Sequence, residues 1–417
     1  MASDLRSYAG VTAAYWAFTL TDGALRMLVL LHFHGLGFSP VDLAFLFLLY
    51  EVMGIVTNLA GGWIGARFGL RVTLFAGLAV QIAALLLLSA VDASWAVALS
   101  VAYVMATQAL SGVAKDLTKM SSKAAVKVVV REGGAGHGLL FKWVALLTGS
   151  KNALKGVGFF LGGALLTWVG FEGALWGMAA MLAVVLAGAV AGLRADLGKA
   201  KAKIAGRDLI AKTPDINWLS AARVFLFASR DVWFVVGVPI FLSSQLGWSF
   251  DRVGAFMAVW VIGYGIVQSV VPGLLRSAGD AAGAARAAKR WGAVLAVVPA
   301  GLAVAMGMAP SAPLLIGGLL VFGVVFAVNS AVHSYLIVAL SDTDTVALNV
   351  GFYYMANAVG RLLGTLASGV VYQVAGLTAT LWVSAALVAL AVALTLPLGR
   401  PPGTAARRLS DPSRMDR

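Results

Sequence analysis

Of the 417 residues, 60% are hydrophobic and only 12% are charged, and the mean hydropathy of +0.91 lies far above that of a soluble globular domain. Such a chain is a polytopic membrane protein. Cysteine is absent, which excludes disulfides and thiolate metal or redox centres, and the net charge of +13, a hint of nucleic acid in a soluble protein, has first to be divided among loops and spans.

Runs of about twenty or more apolar residues predict twelve helices. They fall at 9–34, 40–66, 71–90, 95–117, 138–169, 173–193, 217–243, 250–275, 291–308, 312–340, 346–374 and 377–397. The first is too long for the core of a cleavable signal and is expected to stay as a span. Between the sixth and seventh lies one long polar stretch, from Arg194 to about Pro214, with Lys199, Lys201, Lys203, Arg207 and Lys212. The expected fold class is an all-α polytopic membrane protein of twelve transmembrane helices in two six-helix bundles. Its expected divisions are an N-terminal bundle over 1–193, a linker over 194–216, a C-terminal bundle over 217–397 and a basic tail over 398–417.

Orientation follows from Lys and Arg. One alternating set of loops carries Arg67 and Arg71, then Lys119, Lys123, Lys127 and Arg131, then the linker, then Arg276, Arg286, Lys289 and Arg290, then the tail with Arg400, Arg407, Arg408, Arg414 and Arg417. The opposite set has only Arg252. By the positive-inside rule both termini and the linker are expected in the cytoplasm. The basic loops then serve topology and contact with anionic lipid, and nucleic acid is not an expected partner.

Charge inside the spans is the functional signal, because a cation at mid-membrane costs about 2.5–3.5 kcal/mol on insertion scales. In chain order the central polar residues are Asp22 and Arg26 in span one, Tyr50 and Glu51 in span two, Gln108 in span four, and Lys151, Asn152 and Lys155 in span five. The second half adds Arg230 and Asp231 in span seven, Tyr264 and Gln268 in span eight, Asn329 and His333 in span ten, and Tyr353, Asn357 and Arg361 in span eleven. Arg26, Lys151, Lys155, Arg230 and Arg361 are five cations against the three acids Asp22, Glu51 and Asp231. A cavity with that surplus selects an anion. Guanidinium groups grip oxyanions bidentately and ammonium groups act as compact charges, so two separated basic groups suit a ligand charged at both ends. Asn152, Asn357, Tyr353, Tyr264 and Gln268 are candidates for hydrogen bonds to the rest of that ligand.

Asp22, Glu51, Asp231 and His333 are candidates for proton coupling or ion pairing, with Arg26–Asp22 and Arg230–Asp231 the expected pairs. Glu51 opposes anion binding unless it is paired or protonated. Lys115, Lys142 and Arg223 lie nearer the basic face, where long side chains snorkel. His32 and His34, at the outer end of span one, are expected to pack at the interface. The halves echo each other: Asn152-Ala153-Leu154-Lys155 in span five answers Asn357-Ala358-Val359-Gly360-Arg361 in span eleven. Repeated halves place a site at their junction near the midplane. Spans three, six, nine and twelve are nearly free of polar residues, as lipid-facing supports are. No catalytic carboxylate pair, nucleophile constellation or metal-ligand cluster is seen, so neither an enzyme nor a cofactor is expected.

Between spans two and three, Gly62-Trp63-Ile64-Gly65-Ala66-Arg67-Phe68-Gly69-Leu70-Arg71 resembles the loop signature of the major facilitator superfamily. That resemblance assigns Gly62, Arg67, Gly69 and Arg71 to a cytoplasmic gate. Ala66 stands where the family has an aspartate, which leaves the latch of the outward-facing state open. Gly158-Phe159-Phe160-Leu161-Gly162-Gly163 is similar to the family's glycine-rich antiporter motif, with Phe159 in place of proline. Gly158 and Gly162 are equally a small-xxx-small pair for close helix approach.

A narrower resemblance lies in Tyr15-Trp16-Ala17-Phe18-Thr19-Leu20-Thr21-Asp22-Gly23-Ala24-Leu25-Arg26, in Phe45-Leu46-Phe47-Leu48-Leu49-Tyr50-Glu51 and in Gly112-Val113-Ala114-Lys115-Asp116-Leu117-Thr118-Lys119-Met120-Ser121-Ser122-Lys123. These segments look like the ArsJ family of bacterial organoarsenical efflux permeases, a likeness that runs over nearly the whole chain. The resemblance implies an inner-membrane permease, working beside a glyceraldehyde-3-phosphate dehydrogenase, that expels 1-arseno-3-phosphoglycerate and so confers arsenate resistance. It also reopens Lys115 and Lys119 as an inner approach to the cavity. The expectation is a monomeric, proton-coupled antiporter of alternating access, with an organophosphate or other organic-anion carrier as the alternative. A cationic drug exporter would be expected to have an acid-dominated cavity.

Overall fold

The computed structural model describes residues 2–68, 70–92, 94–132, 137–193, 213–274, 281–341 and 346–398, with side chains described except at 2–8, 59–68, 70, 120, 122–132, 137–149, 272–274 and 346–348. Every regular element among them is helical. The N-terminal half contains α1 (Ala2–Gly35), α2 (Pro40–Leu46), α3 (Leu48–Phe68), α4 (Leu70–Leu88), α5 (Val97–Glu132) and α6 (His137–Gly192). The C-terminal half contains α7 (Pro214–Phe234), α8 (Gly237–Ile240), a π-helical turn (Phe241–Gln245), α9 (Phe250–Leu274), α10 (Ala281–Met308), α11 (Ala312–Ala339) and α12 (Val346–Thr395).

Nine stretches of the described residues are long and apolar enough to cross a membrane. Two of them, Ser150–Gly192 and Asn349–Thr395, run to 43 and 47 residues, about twice the 20 residues that one crossing needs. Each is broken in two by a glycine, Gly170 at φ 74° and Gly376 at φ 73°. Nothing lies within 4 Å of a Cβ built on either, so it is the left-handed backbone and not crowding that calls for glycine there. Nine stretches plus these two divisions, plus the polar-interrupted α1, make the twelve expected crossings.

Several boundaries differ from the sequence reading. Spans five and six, and spans eleven and twelve, are joined through a single glycine rather than a loop. Helix α5 continues to Glu132, well past 117, and α10 starts at Ala281 rather than 291. Apolar runs mark only the part of a helix that crosses lipid, whereas the Ala-, Lys- and Arg-containing flanks keep strong helix propensity in water. The flank of α10 also packs: Ala284, Ala285 and Ala288 are buried against Ile216 and Leu219 of α7. Most of the expected linker (194–212) and of the tail (399–417) lies outside the described residues.

Glycine sets the helix contacts within each half. A Cβ at Gly158 would stand 2.5 Å from the Leu20 carbonyl and one at Gly23 would stand 2.6 Å from that of Lys155, so α1 and α6 touch backbone to backbone. In the other half a Cβ at Gly364 would stand 2.7 Å from Asp231 Cβ, and one at Gly360 would overlap the Val224 carbonyl, which joins α12 to α7 in the same way. The halves meet along α6 with α9 and along α2 and α3 with α12. On the remaining faces, α4, the second part of α6, α10 and the second part of α12 expose large apolar side chains, among them Leu87, Val184, Val297 and Trp382. Those are the lipid-facing supports expected of spans three, six, nine and twelve.

Candidate functional site

Two spans break where the central charges sit. Span two is interrupted at Phe47 between α2 and α3, which places Tyr50 and Glu51 in the first turn of α3. Span seven ends α7 at Phe234, one turn after Arg230 and Asp231, before restarting at Gly237. Backbone donors freed inside a membrane must find other acceptors. Ser368 Oγ of α12 supplies one, accepting from the Val236 and Gly237 amides at 3.2 and 3.1 Å.

The charges form a chain of alternating sign across the junction. Arg26 Nη1 donates to Glu51 Oε1 at 3.0 Å, and Arg361 Nη2 donates to the same oxygen at 2.5 Å. Arg361 Nε lies 3.7 Å from Asp231 Oδ2, while Asp231 Oδ1 pairs with Arg230 at 2.5 Å. Arg26 and Glu51 belong to the N-terminal half; Arg230, Asp231 and Arg361 belong to the C-terminal half. Both carboxylates are 1% exposed and the three guanidinium groups 12–17%, so the acids are the buried centre and the arginines its accessible rim. Guanidinium groups stack on Phe47 and Tyr50 (Arg26) and on Phe227 (Arg230), at 5.1, 5.7 and 4.9 Å from the ring centres.

Two lysines flank this chain, Lys115 next to Asp116 and Lys155 with no acid in contact among the described residues. Lys115 Nζ sits 4.0 Å above the Tyr50 ring, and Lys155 Nζ lies 5.8 Å from the Phe159 ring. Neither makes an ion pair among the described residues, and both act on Glu51 through space. Lys151 and Asn152 precede Lys155 on α6, and Asn152 Nδ2 donates to Gln268 Oε1 of the other half at 3.3 Å. With the Lys119–Asp116 pair included, Arg26, Arg230, Arg361, Lys115, Lys119 and Lys155 stand against Asp22, Glu51, Asp116 and Asp231, a surplus of two positive charges.

The structure rearranges several expected partnerships. Asp22 does not pair with Arg26: it accepts from Tyr50 Oη at 2.5 Å, and Arg26 turns to Glu51. The four-residue spacing puts both on one side of α1, but the broken span two presents a phenol to one and a carboxylate to the other. Arg230 and Asp231 do pair. Arg223 does not snorkel. It is 4% exposed, donates to Asn357 Oδ1 at 3.2 Å and to the Ser330 carbonyl at 3.3 Å, and stacks on Phe227 and Tyr353. Asn357 is therefore an acceptor for Arg223, and Tyr353 and His333 lie with Arg223 inside the C-terminal half rather than in the central chain. Gln268 and Tyr264 converge on Ser330 Oγ, each at 3.2 Å.

Towards the basic side, Lys119 donates to Asn58 Oδ1 at 2.9 Å and lies 5.2 Å from the Tyr354 ring of the other half, with Asp116 held by Thr57 and Lys119. Of the expected gate residues, the side chains of Gly62, Arg67 and Gly69 lie outside the described residues, as does Lys142, and Arg71 stacks on Phe75 of its own helix. At the opposite side the halves touch directly: His34 Nε2 meets Ser244 Oγ at 2.9 Å and the Val41 amide donates to Gln373 Oε1 at 3.1 Å. His32 stacks on Phe171, as expected of an interfacial ring. Sequence reading assigned Arg223 to snorkelling and did not single out Asp116. A signal for Arg223 exists in the 3-4-3 spacing of Ser220, Arg223, Phe227 and Arg230, one stripe along α7 that is polar at three of its four positions.

Residues 219–413 match the family model described as Major Facilitator Superfamily. No curated protein matches the sequence. Over nearly the whole chain the fold is similar to the crystal structure of a bacterial homologue of the iron transporter ferroportin in an inward-facing state, with 16% identity and a TM-score of 0.69, covering 94% of this chain and 98% of that one. It is equally similar to a variant of the nucleoside transporter NupG, with 15% identity and a TM-score of 0.70, covering 95% and 100%. The fold of this chain is thus shared with these two solved transporters, and its residues 219–413 carry the match to the superfamily model.

Proposed function

We propose that this protein is an inner-membrane efflux carrier of organic anions, with 1-arseno-3-phosphoglycerate as the substrate, worked by alternating access and coupled to protons. The observation that carries this reading is the cationic surplus at the junction of the halves, where Lys155 makes no ion pair among the described residues. The segments of spans one, two and four that resemble the ArsJ family supply the choice of substrate.

In this reading Arg26, Lys151, Lys155, Arg230 and Arg361 grip an oxyanionic end of the ligand, Asn152, Asn357, Tyr353 and Gln268 contact the rest of it, and Lys115 and Lys119 line the inner approach. Glu51 is the resident counter-ion: its Oε1 joins Arg26 of one half to Arg361 of the other. An incoming oxyanion competes for the same donors, and the released carboxylate takes a proton, which couples transport to the proton gradient. Asp22 and Asp231 keep their neighbours oriented, while His333 is a further proton carrier of the C-terminal half. Gly62, Arg67, Gly69 and Arg71 gate the cytoplasmic end, where both termini lie. A glyceraldehyde-3-phosphate dehydrogenase delivers the ester to a monomeric carrier.

Counterflow in proteoliposomes tests the reading. Labelled ester is expected to exchange, and Arg26→Ala, Lys155→Ala and Arg361→Ala, each correctly inserted, are expected to abolish both exchange and protection of cells against arsenate. Persistence of either in all three variants overturns the anion site. The donor set has no feature selective for arsenic over phosphorus, which favours organophosphates as a second substrate class; exchange of organophosphates but not of the ester would select it.

A further inference from the structure

Burying a guanidinium away from water demands a counter-charge, and most buried arginines find a carboxylate. Arg223 is 4% exposed, yet among the described residues no acid approaches it. Its acceptors are neutral, Asn357 Oδ1 and the Ser330 carbonyl, and its flat faces lie on Phe227 and Tyr353 at 4.0 and 4.8 Å from the ring centres. Beside it two polar atoms that are themselves buried make no close hydrogen bond among the described residues: Tyr353 Oη, on a residue 1% exposed and near Ser334, and His333 Nδ1, on a residue 2% exposed. A hydroxyl and a ring nitrogen able to donate, grouped about an uncompensated cation, form a receptor for an anion.

The position of this group matters as much as its composition. Arg223 and Arg230 are seven residues apart on α7, and Asn357 and Arg361 are four apart on α12. Each spacing returns to one side of its helix, so Arg223–Asn357 and Arg230–Arg361 form two levels of one stripe, about 10 Å apart along α7. The upper level has Asp231 and Glu51 to balance it; the lower has no acid among the described residues.

We infer that Arg223, with Tyr353, Asn357 and His333, is a second anion subsite, which takes the far end of a doubly charged ligand while the Arg26–Arg361 level holds the near end. The inference rests on the anion-carrier reading and deepens it: Arg223 is the residue that makes the site prefer ligands charged at both ends. Asn357 orients the guanidinium through its Nε, and Gln268 and Tyr264 fix Ser330, whose carbonyl holds Nη1.

The test uses full-length protein in detergent and two probes that share a phosphate, 3-phosphoglycerate with a carboxylate at its other end and glycerol 3-phosphate without one. Binding is read by calorimetry and by thermal shift. The wild type is expected to bind the two-ended probe at least about tenfold more tightly, and Arg223→Gln to bring the ratio near one by weakening only that probe. Asn357→Asp is the second variant, and it guards against misfolding of the first. It tethers a carboxylate beside Arg223, so the ligand-free protein should melt at a higher temperature while the two-ended preference disappears. A preference unchanged in both variants overturns the subsite and gives Arg223 a structural role only. Failure of the wild type to bind either probe overturns the anion-carrier reading, and the subsite with it.

Discussion

The two halves are built alike and charged differently. Span five and span eleven match at an offset of 206 residues: Lys155 with Arg361, Gly158 with Gly364, Gly163 with Gly369, and the breaking Gly170 with Gly376. The close approaches match too, since Gly158 meets α1 and Gly364 meets α7, while Gly163 abuts Phe250 and Gly369 abuts Pro40 across the junction. Yet Arg361 is held by Glu51 and Asp231, whereas Lys155 has no acid partner among the described residues. Backbone packing tolerates few residue types and so keeps the repeat; charge placement is free to differ, and that difference gives the site a held end and an open end.

The largest expected effect comes from removing the held end. Arg361→Ala leaves the buried Glu51 and Asp231 each short of a cation, a loss of about 3–5 kcal/mol in stability. Thermal unfolding should fall steeply and counterflow vanish; an unchanged melting temperature would mean that the bridge between the halves contributes nothing. Next come the matched glycines. Gly158→Ala and Gly364→Ala each drive a methyl group into the partner helix, against the Leu20 carbonyl in one half and against Asp231 Cβ and the Ala228 carbonyl in the other. Each should cost about 1–3 kcal/mol by the same measurement, and a penalty in only one half would break the proposed equivalence.

The open end should respond the other way. Lys155→Met removes a cation that has no acid partner among the described residues, so stability should hold or rise while affinity for an organic anion drops about tenfold in a binding assay. A fall in stability of the size seen for Arg361→Ala would show that Lys155 is paired after all. Smallest is Asn152→Ala, which deletes the 3.3 Å hydrogen bond to Gln268 between the halves. A loss of about 1 kcal/mol is expected, with a few-fold change in exchange rate.

Much of this was legible in sequence, and the misses have one cause. Arg26, Glu51, Arg230 and Arg361 were found because charge in an apolar run is conspicuous wherever the helix faces. Arg223 was misread because depth along the axis was estimated while rotation about it was not; a cation near the basic end snorkels only if its side of the helix faces lipid or water. Asp22 and Arg26 were paired by their spacing, but Tyr50 and Glu51 reach them first.

By itself the sequence determined where the chain crosses, which loops are basic and that cations exceed acids in the interior, because hydropathy and charge are sums over neighbours in the chain. Only the tertiary structure decided who neutralises whom. Glu51 and Arg361 are 310 positions apart and meet because glycine-lined contacts set how closely and at what rotation the helices pack. Ion pairs at 2.5–3.0 Å depend on that rotation, and no local pattern in the chain encodes it.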